Sequence, residues 1–258
     1  MRDAGLERAI SAAGGVRSLA RQLGVSQPAV STWKRVPADR VLAVEALTGV
    51  ARTTLRPDLY PPADPAGGLD STDAARAAEY ELIGTLLWRA PDAAVLTRLA
   101  KLRGDASELG VAHLALAEAA ARTDADVVGR EFFDLFVGLG RGELLPYASY
   151  YLTGFLHERP LARLRGDLAL IGVERAERVA EPEDHIAILC EVMAGLIRGD
   201  FAAEGIDEKT FFTRHVEPWA ARFFADLETA RFARFYRPVG TIGRLLTTIE
   251  AEAFALPA

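Results

Sequence analysis

The sequence predicts an all-α protein in two parts, a small helical head followed by a larger helical bundle. Three observations lead there. Apolar residues recur at spacings of three and four along most of the 258 residues, with almost none of the alternation that a half-buried strand shows. Glycine and proline punctuate these stretches, at Gly24, Gly49, Pro91, Gly104, Pro160, Pro182 and Pro218 among others. Charge changes sign along the chain, since residues 1–60 hold nine Arg or Lys against five acids and residues 61–258 hold 21 against 31. Opposite signs point to two domains with different partners. PPADPAGGLDST, 61–72, lies at the change of sign, lacks an apolar period and is rich in Pro and Gly. The expected organisation is therefore a head at 1–60, a linker at 61–72 and a large domain at 73–258.

Composition narrows the class. Half of the residues are hydrophobic, enough for one substantial core and a small extra module. No stretch approaches the roughly 18 uninterrupted apolar residues of a membrane span, and the first residues lack the basic-then-apolar plan of a signal peptide. A cytoplasmic protein without membrane insertion is expected. One cysteine, Cys190, cannot form an internal disulfide, and with four scattered histidines it offers no zinc-ligand spacing. Neither a metal nor a cofactor is expected.

In the head, Val16, Leu19, Ala20 and Leu23 form an apolar stripe that stops at Gly24. Ser26 is placed to cap a second helix, with Pro28 in its first turn where a missing N–H costs nothing. Ala29, Val30 and Trp33 then face inward, leaving Gln27, Ser31, Thr32, Lys34 and Arg35 facing outward. Helix, glycine turn, helix, with a polar and basic open face, is what DNA reading requires. Gln, Ser and Thr address base edges, while Arg17, Arg21, Lys34 and Arg35 hold phosphates. A net +4 is a modest footprint for that task, and dimerisation would double it. VPADRVLAVEALTG predicts one more helix, from Pro37 to Gly49.

The large domain reads as eight to ten helices. Val128, Phe132, Leu135 and Phe136 follow a capped start at Thr123-Asp124; Ile186, Leu189, Cys190, Met193, Leu196 and Ile197 share one face. Ile242, Leu245, Leu246, Ile249 and Ala253 repeat the plan. Trp219, Phe223 and Leu227, at steps of four, read as core. Tyr147, Tyr150 and Tyr151 cannot share a face, so some of those rings must line a surface or groove. GLGRG, 138–142, follows a helix rather than a strand, so a loop between helices explains its glycines better than a phosphate cradle does.

EPEDHIAILC, 181–190, gathers acids, a histidine and the cysteine. On a regular helix Asp184 and His185 diverge by about 100 degrees and His185 and Cys190 by about 140 degrees, which leaves no catalytic pair. The spelling fits a helix entrance, with Glu181 near the cap, Pro182 at the first helical position, and Glu183 and Asp184 in the first turn.

Two resemblances add to this reading. GVSQPAVSTWKR with the trailing TGVARTTLRPDLYP resembles the Cro-like, YdaS-type helix-turn-helix family, which implies a DNA-binding head that usually works as a dimer. PYASYYLTGFLHERPLARLRGDL, EPEDHIAILCEVMAGL and FFTRHVEPWAARFFADLE, in that order over about 75–255, resemble the TorD/DmsD family of redox-enzyme maturation chaperones. That family's motifs fall on Tyr147, Ser149 and Tyr151, on Glu181, Pro182, Asp184 and His185, and on His215, Pro218 and Trp219. It implies an all-helical fold without catalysis. It also implies binding of the twin-arginine signal peptide and apo form of a molybdenum-cofactor oxidoreductase, of the formate dehydrogenase or dimethyl sulfoxide reductase type, until the cofactor is loaded.

An acidic domain with aromatic rings suits a basic and apolar signal peptide. Glu181 and Asp184 are expected to meet its arginines, with Tyr147, Tyr151 and Trp219 in the apolar wall. Signal-peptide binding is thus expected at Tyr147, Ser149, Tyr151, Glu181, Pro182, Asp184, His185, His215 and Trp219. The alternative is a transcription regulator, binding DNA through Arg17, Arg21, Ser26, Gln27, Ser31, Thr32, Lys34 and Arg35, whose large domain senses the precursor. The partners are the molybdoenzyme precursor, DNA in the alternative, and a second copy of the chain.

Overall fold

The computed structural model describes residues 3–57, 70–173, 181–201 and 205–256, without the side chain of Asp39. Most of the expected linker at 61–72 and the end of the TGVARTTLRPDLYP stretch lie outside the described residues. The chain divides into two compact units, Met1–Gly68 and Leu69–Ala258. Among the described residues there is no named strand, only an isolated bridge between Tyr147 and His185.

The first unit holds α1 (Ala4–Ala12), α2 (Val16–Gln22), α3 (Gln27–Thr32), a 3-10 turn (Ala38–Arg40), α4 (Val41–Thr48) and α5 (Arg52–Leu55). Local chemistry sets its boundaries. Asp3 caps α1 by accepting the Leu6 N–H, Ser26 caps α3 by accepting the Ala29 N–H, and α4 ends at Gly49 in the left-handed conformation. Leu6, Val36, Val41, Val44 and Leu55 form one buried cluster, and Leu19, Ala20 and Val30 another. The recognition-type helix is shorter than expected. Trp33 already has extended backbone, with ψ 130°, so Lys34 and Arg35 leave on a turn instead of extending the α3 face. Nor does Pro37 start a helix, because it too is extended and the 3-10 turn intervenes.

The second unit holds α6 (Ser71–Trp88), α7 (Ala93–Leu99), α8 (Glu108–Ala121), α9 (Ala125–Phe132), a π turn (Phe133–Val137), α10 (Ala148–Thr153) and α11 (Arg159–Leu170). It continues with α12 (Ile186–Arg198), α13 (Glu208–Phe211), a second π turn (Phe212–Val216), α14 (Ala220–Thr229) and α15 (Tyr236–Ala255). Helix α12 lies along α6 and α14 along α15. The first pair approaches closely at Gly84, where a Cβ would stand 3.2 Å from the Ala187 carbonyl oxygen. Ile83, Leu87, Leu189, Met193, Phe211, Phe223, Phe224, Tyr236 and Ile242 fill the core.

Two buried carboxylates fix the last helix. Glu131 accepts the backbone N–H groups of Arg234, Phe235 and Tyr236, satisfying the open donors where α15 begins. Glu250 is 1% exposed and takes both Nε and a terminal nitrogen of Arg76 at 2.7 Å. That ion pair corrects the expected stripe on α15, since Glu250 turns inward and its neighbour Ile249 is 46% exposed.

Candidate functional site

The first and second motif segments are stitched together by backbone. Ala148 N–H donates to the Asp184 carbonyl at 3.0 Å and Ile186 N–H to the Pro146 carbonyl at 2.9 Å. The Asp184 side chain adds a third link, its Oδ2 accepting the Ser149 N–H at 2.8 Å. Asp184 therefore satisfies open N–H groups in the first turn of α10, which Tyr147 enters without a side-chain cap of its own.

This pairing overturns the expected helix entrance at 181–184. Those residues form a turn, and α12 starts only at Ile186. The cap is His185, whose Nδ1 accepts the Ala187 N–H at 3.1 Å. A segment whose carbonyl and carboxylate are both drawn across to α10 cannot wind into the helix behind it. Burial pushes the His185 imidazole down to about 4. With Nδ1 accepting, the neutral ring carries its proton on Nε2. Tyr147 stands edge-on to His185 at 5.1 Å and donates its hydroxyl to Glu181, while Trp88 meets the ring edge-on at 6.0 Å. Cys190 sits in the core as expected, 2% exposed, and burial raises its thiol.

The third motif segment arrives through the second π turn. The wider winding there leaves His215 buried, its Nε2 2.7 Å from Asp167 Oδ2 on α11. Burial lowers the His215 pKa against the opposing pull of Asp167. Burial would raise Asp167, but hydrogen bonds from His215 and Arg214 outweigh it and lower that carboxyl. Both directions fit an ionised Asp167 accepting from a neutral imidazole. Trp219 donates its indole N–H to the His215 carbonyl at 2.7 Å and lies 5.5 Å from the Tyr151 ring.

These segments converge on one cavity of about 480 Å³. Leu152, Leu164 and Leu189 supply aliphatic wall, Asp184 and His215 polar floor, and Arg163 and Arg214 its basic side. Asp184 is 0% exposed, so it lies just beneath the wetted surface. Its Oδ1 and the hydroxyl of fully buried Ser149 are the two buried side-chain polar atoms without a hydrogen-bond partner among the described residues. Unpaired buried oxygen costs free energy comparable to a lost hydrogen bond, and such a cost persists where the site has a use for it.

Several expected roles change. Asp184 is covered and Glu181 already accepts from Tyr147, so neither presents a free carboxylate to an incoming arginine. Glu183 is held by Arg165 at 2.8 Å. Trp219 is 2% exposed and packs behind Tyr151, leaving the wall of the cavity aliphatic and not aromatic. Tyr151 instead faces a second cavity of about 410 Å³ with Tyr150, Arg141, Arg222 and Asp226, and donates to Asp226 at 3.0 Å. Asp167, Arg163, Arg214 and Leu152 were not among the residues expected at the site. The usable signal was LARLRGDL, whose i, i+4 step from Arg163 to Asp167 puts both on one face of α11.

In the first unit, Arg17 Nε donates to Gln27 at 3.3 Å across the α2–α3 turn, joining two of the expected DNA-contacting residues on an exposed face. Thr32 turns its hydroxyl back to the Ala29 carbonyl, and Ser26 is occupied as the cap. Their side chains serve the helix first. Arg21, Gln27, Ser31, Lys34 and Arg35 are exposed.

Residues 102–225 match the model of the nitrate reductase delta subunit family, and residues 6–63 that of the bacterial toxin YdaS family. The chaperone protein TorD of Aliivibrio fischeri is 31% identical over 113 residues, covering 40% of this chain and 53% of the relative. Over part of its length the chain is thus similar to TorD chaperones. The TorD chaperone of Vibrio cholerae serotype O1 is 39% identical over 77 residues, covering 29% of this chain and 35% of its own. The chain thus spans about half the length of the first curated relative and about a third of the second. A solved chain from Archaeoglobus fulgidus, assigned to redox enzyme maturation, shares 18% identity at a TM-score of 0.43, with 67% of this chain and 92% of that one covered. No helix among the described residues is long and apolar enough to cross a membrane, and none of their side chains group as a metal site.

Proposed function

We propose that the TorD-like unit is a maturation chaperone that binds the twin-arginine signal peptide of a molybdenum-cofactor oxidoreductase precursor. It holds the apo form in the cytoplasm until the cofactor is loaded. The observation that carries this reading is the convergence of three separated segments on one cavity, over the unpaired oxygen of Asp184. A ligand that brings an N–H donor to that floor removes a standing cost, and the leucines accept its apolar run. Asp184 and His215 are the residues proposed to meet the ligand, and Ser149, fully buried, holds Asp184 in place. Tyr147, Glu181, Pro182 and His185 hold the turn that shapes the floor, and Tyr151 and Trp219 support the wall from behind. The similarity of the unit to relatives named as TorD chaperones supports the same reading, and no catalytic step is assigned to it.

The test is a titration of a labelled peptide, two arginines followed by an apolar run, with wild type and Leu152→Arg. Leu152 is 43% exposed at the cavity, so an arginine there blocks it without entering the core. Affinity should fall on the order of tenfold or more, as loss of a packed apolar contact plus a like charge requires. Unchanged affinity would overturn the assignment.

A second reading is favoured by the exposed Arg17–Gln27 pair and the YdaS-type match of residues 6–63. In it the first unit binds DNA as part of a regulator, and the TorD-like unit senses the precursor. Titrating duplex DNA at several salt concentrations tests it. Binding should weaken with salt, and Arg21→Ala should reduce the slope by about one. No salt-sensitive binding would remove this reading.

A further inference from the structure

The cavity beneath the three motifs lacks what a basic ligand needs most, an uncommitted carboxylate at the surface. Asp167 holds His215 and Arg214, Glu183 holds Arg165, Glu181 accepts from Tyr147, and Asp184 is covered. Arg163 and Arg214 stand on its rim, so a guanidinium entering there meets two like charges.

The other side of His185 is built differently. A groove of about 330 Å³ runs between α6 and α12, floored by Gly84, Ala187 and Ala194 and walled by Trp88, Glu81, Glu191 and Arg198. Trp88 is 41% exposed, and its ring stands perpendicular to that of His185 at 6.0 Å between centroids. Glu191 is exposed, with no ion-pair or hydrogen-bond partner among the described residues. Arg198 pairs with Glu81 and, outside the groove, with Asp200, so the two carboxylates of the lining outnumber its one cation. Gly84, Ala187 and Ala194 place nothing larger than a methyl group on the floor, so a side chain can lie along it beside the indole.

We propose that this groove receives the basic portion of the peptide ligand, one arginine stacking on Trp88 and pairing with Glu191. The proposal rests on the peptide-binding reading above and moves the arginines away from the EPED turn. A partly exposed indole and a free carboxylate are complementary to a planar guanidinium, which stacks and forms two parallel hydrogen bonds at once. The Trp88–His185 contact ties the wall of the groove to the turn that shapes the leucine-lined cavity. One peptide can therefore be read at both places, basic part on α6 and α12 and apolar part on α10 and α11.

The experiment is a double-mutant cycle on the full chain. Two labelled peptides are used, one with paired arginines ahead of an apolar run and one with glutamines in their place, against wild type, Glu191→Gln and Trp88→Leu. For wild type the arginine peptide should bind on the order of tenfold more tightly than the glutamine peptide. Either substitution should shrink that ratio several-fold and leave the glutamine peptide almost unaffected. An unchanged ratio in Glu191→Gln, with both peptides still bound, overturns this assignment and leaves the chaperone reading standing. Failure of wild type to bind either peptide overturns both. Trp88→Leu touches the His185 packing, so Glu191→Gln, exposed and unpaired, is the deciding variant.

Discussion

Asp184 accepts the Ser149 N–H through Oδ2 at 2.8 Å while its own carbonyl accepts the N–H of Ala148 at 3.0 Å. One residue thereby ties the turn before α12 to the start of α10, and its remaining oxygen Oδ1 stays unpaired under the cavity floor. Fold and site depend on the same carboxylate, and substitutions can separate the two.

Asp184→Ala leaves the buried Ser149 N–H without its acceptor and should cost about 1–3 kcal/mol. Asp184→Asn keeps one oxygen for that N–H and should retain most of the stability while weakening peptide binding. Urea denaturation and peptide titration of the two variants check this. Equal stability of Asp184→Ala and wild type would show that the link contributes nothing.

Burial holds the His185 imidazole down to about 4, against an ordinary value of 6.5. Between those values the unfolded chain takes up a proton that the folded chain refuses. Stability from the neutral ring is full above about pH 6.5 and falls as pH drops toward 4, by about 3 kcal/mol. His215, also lowered by burial, adds in the same direction. His113, raised by its hydrogen bond to Glu79, acts oppositely, with stability present at low pH and lost as pH rises through its raised value. His185→Asn keeps an acceptor at the cap position. Its urea midpoint should change less between pH 6.5 and 4 than that of wild type, and parallel curves would refute the assignment.

Glu131 satisfies three backbone donors at the beginning of α15. Glu131→Ala should cost about 2–4 kcal/mol, since hydrogen bonds to a charged acceptor are the stronger kind and the donors are left buried. Glu131→Gln should recover part of it. Hydrogen exchange reads the effect locally, with the amides of Arg234 to Tyr236 losing protection first.

Arg76 binds Glu250 through two nitrogens, and Glu250 is 1% exposed. Removing the cation strands a buried carboxylate beside Tyr80, whose hydroxyl lies 3.5 Å away. Arg76→Ala should cost about 3–5 kcal/mol, whereas Arg76→Met with Glu250→Leu should recover much of it. Thermal unfolding of the single and double variants distinguishes a strained charge from a merely lost contact.

Much of this was legible in the residues. Apolar spacing fixed the helical class and the buried face of α12, because period and burial are both local to one helix. Ser26, Asp124 and Gly49 marked helix ends, because caps act within a few residues. The three motif segments were visible as residue types.

Tertiary structure alone decided what those residues do. Whether EPED winds or turns depends on hydrogen bonds from Ala148 and Ser149, about 35 positions away in sequence. Which acids are free depends on partners such as Tyr147 and Arg165, which no spacing announces. The width of the groove beside Trp88 depends on how closely α6 and α12 pack at Gly84. Helix formation is settled by neighbours in sequence, whereas charge availability and burial are settled by neighbours in space, and the site is made of the second kind.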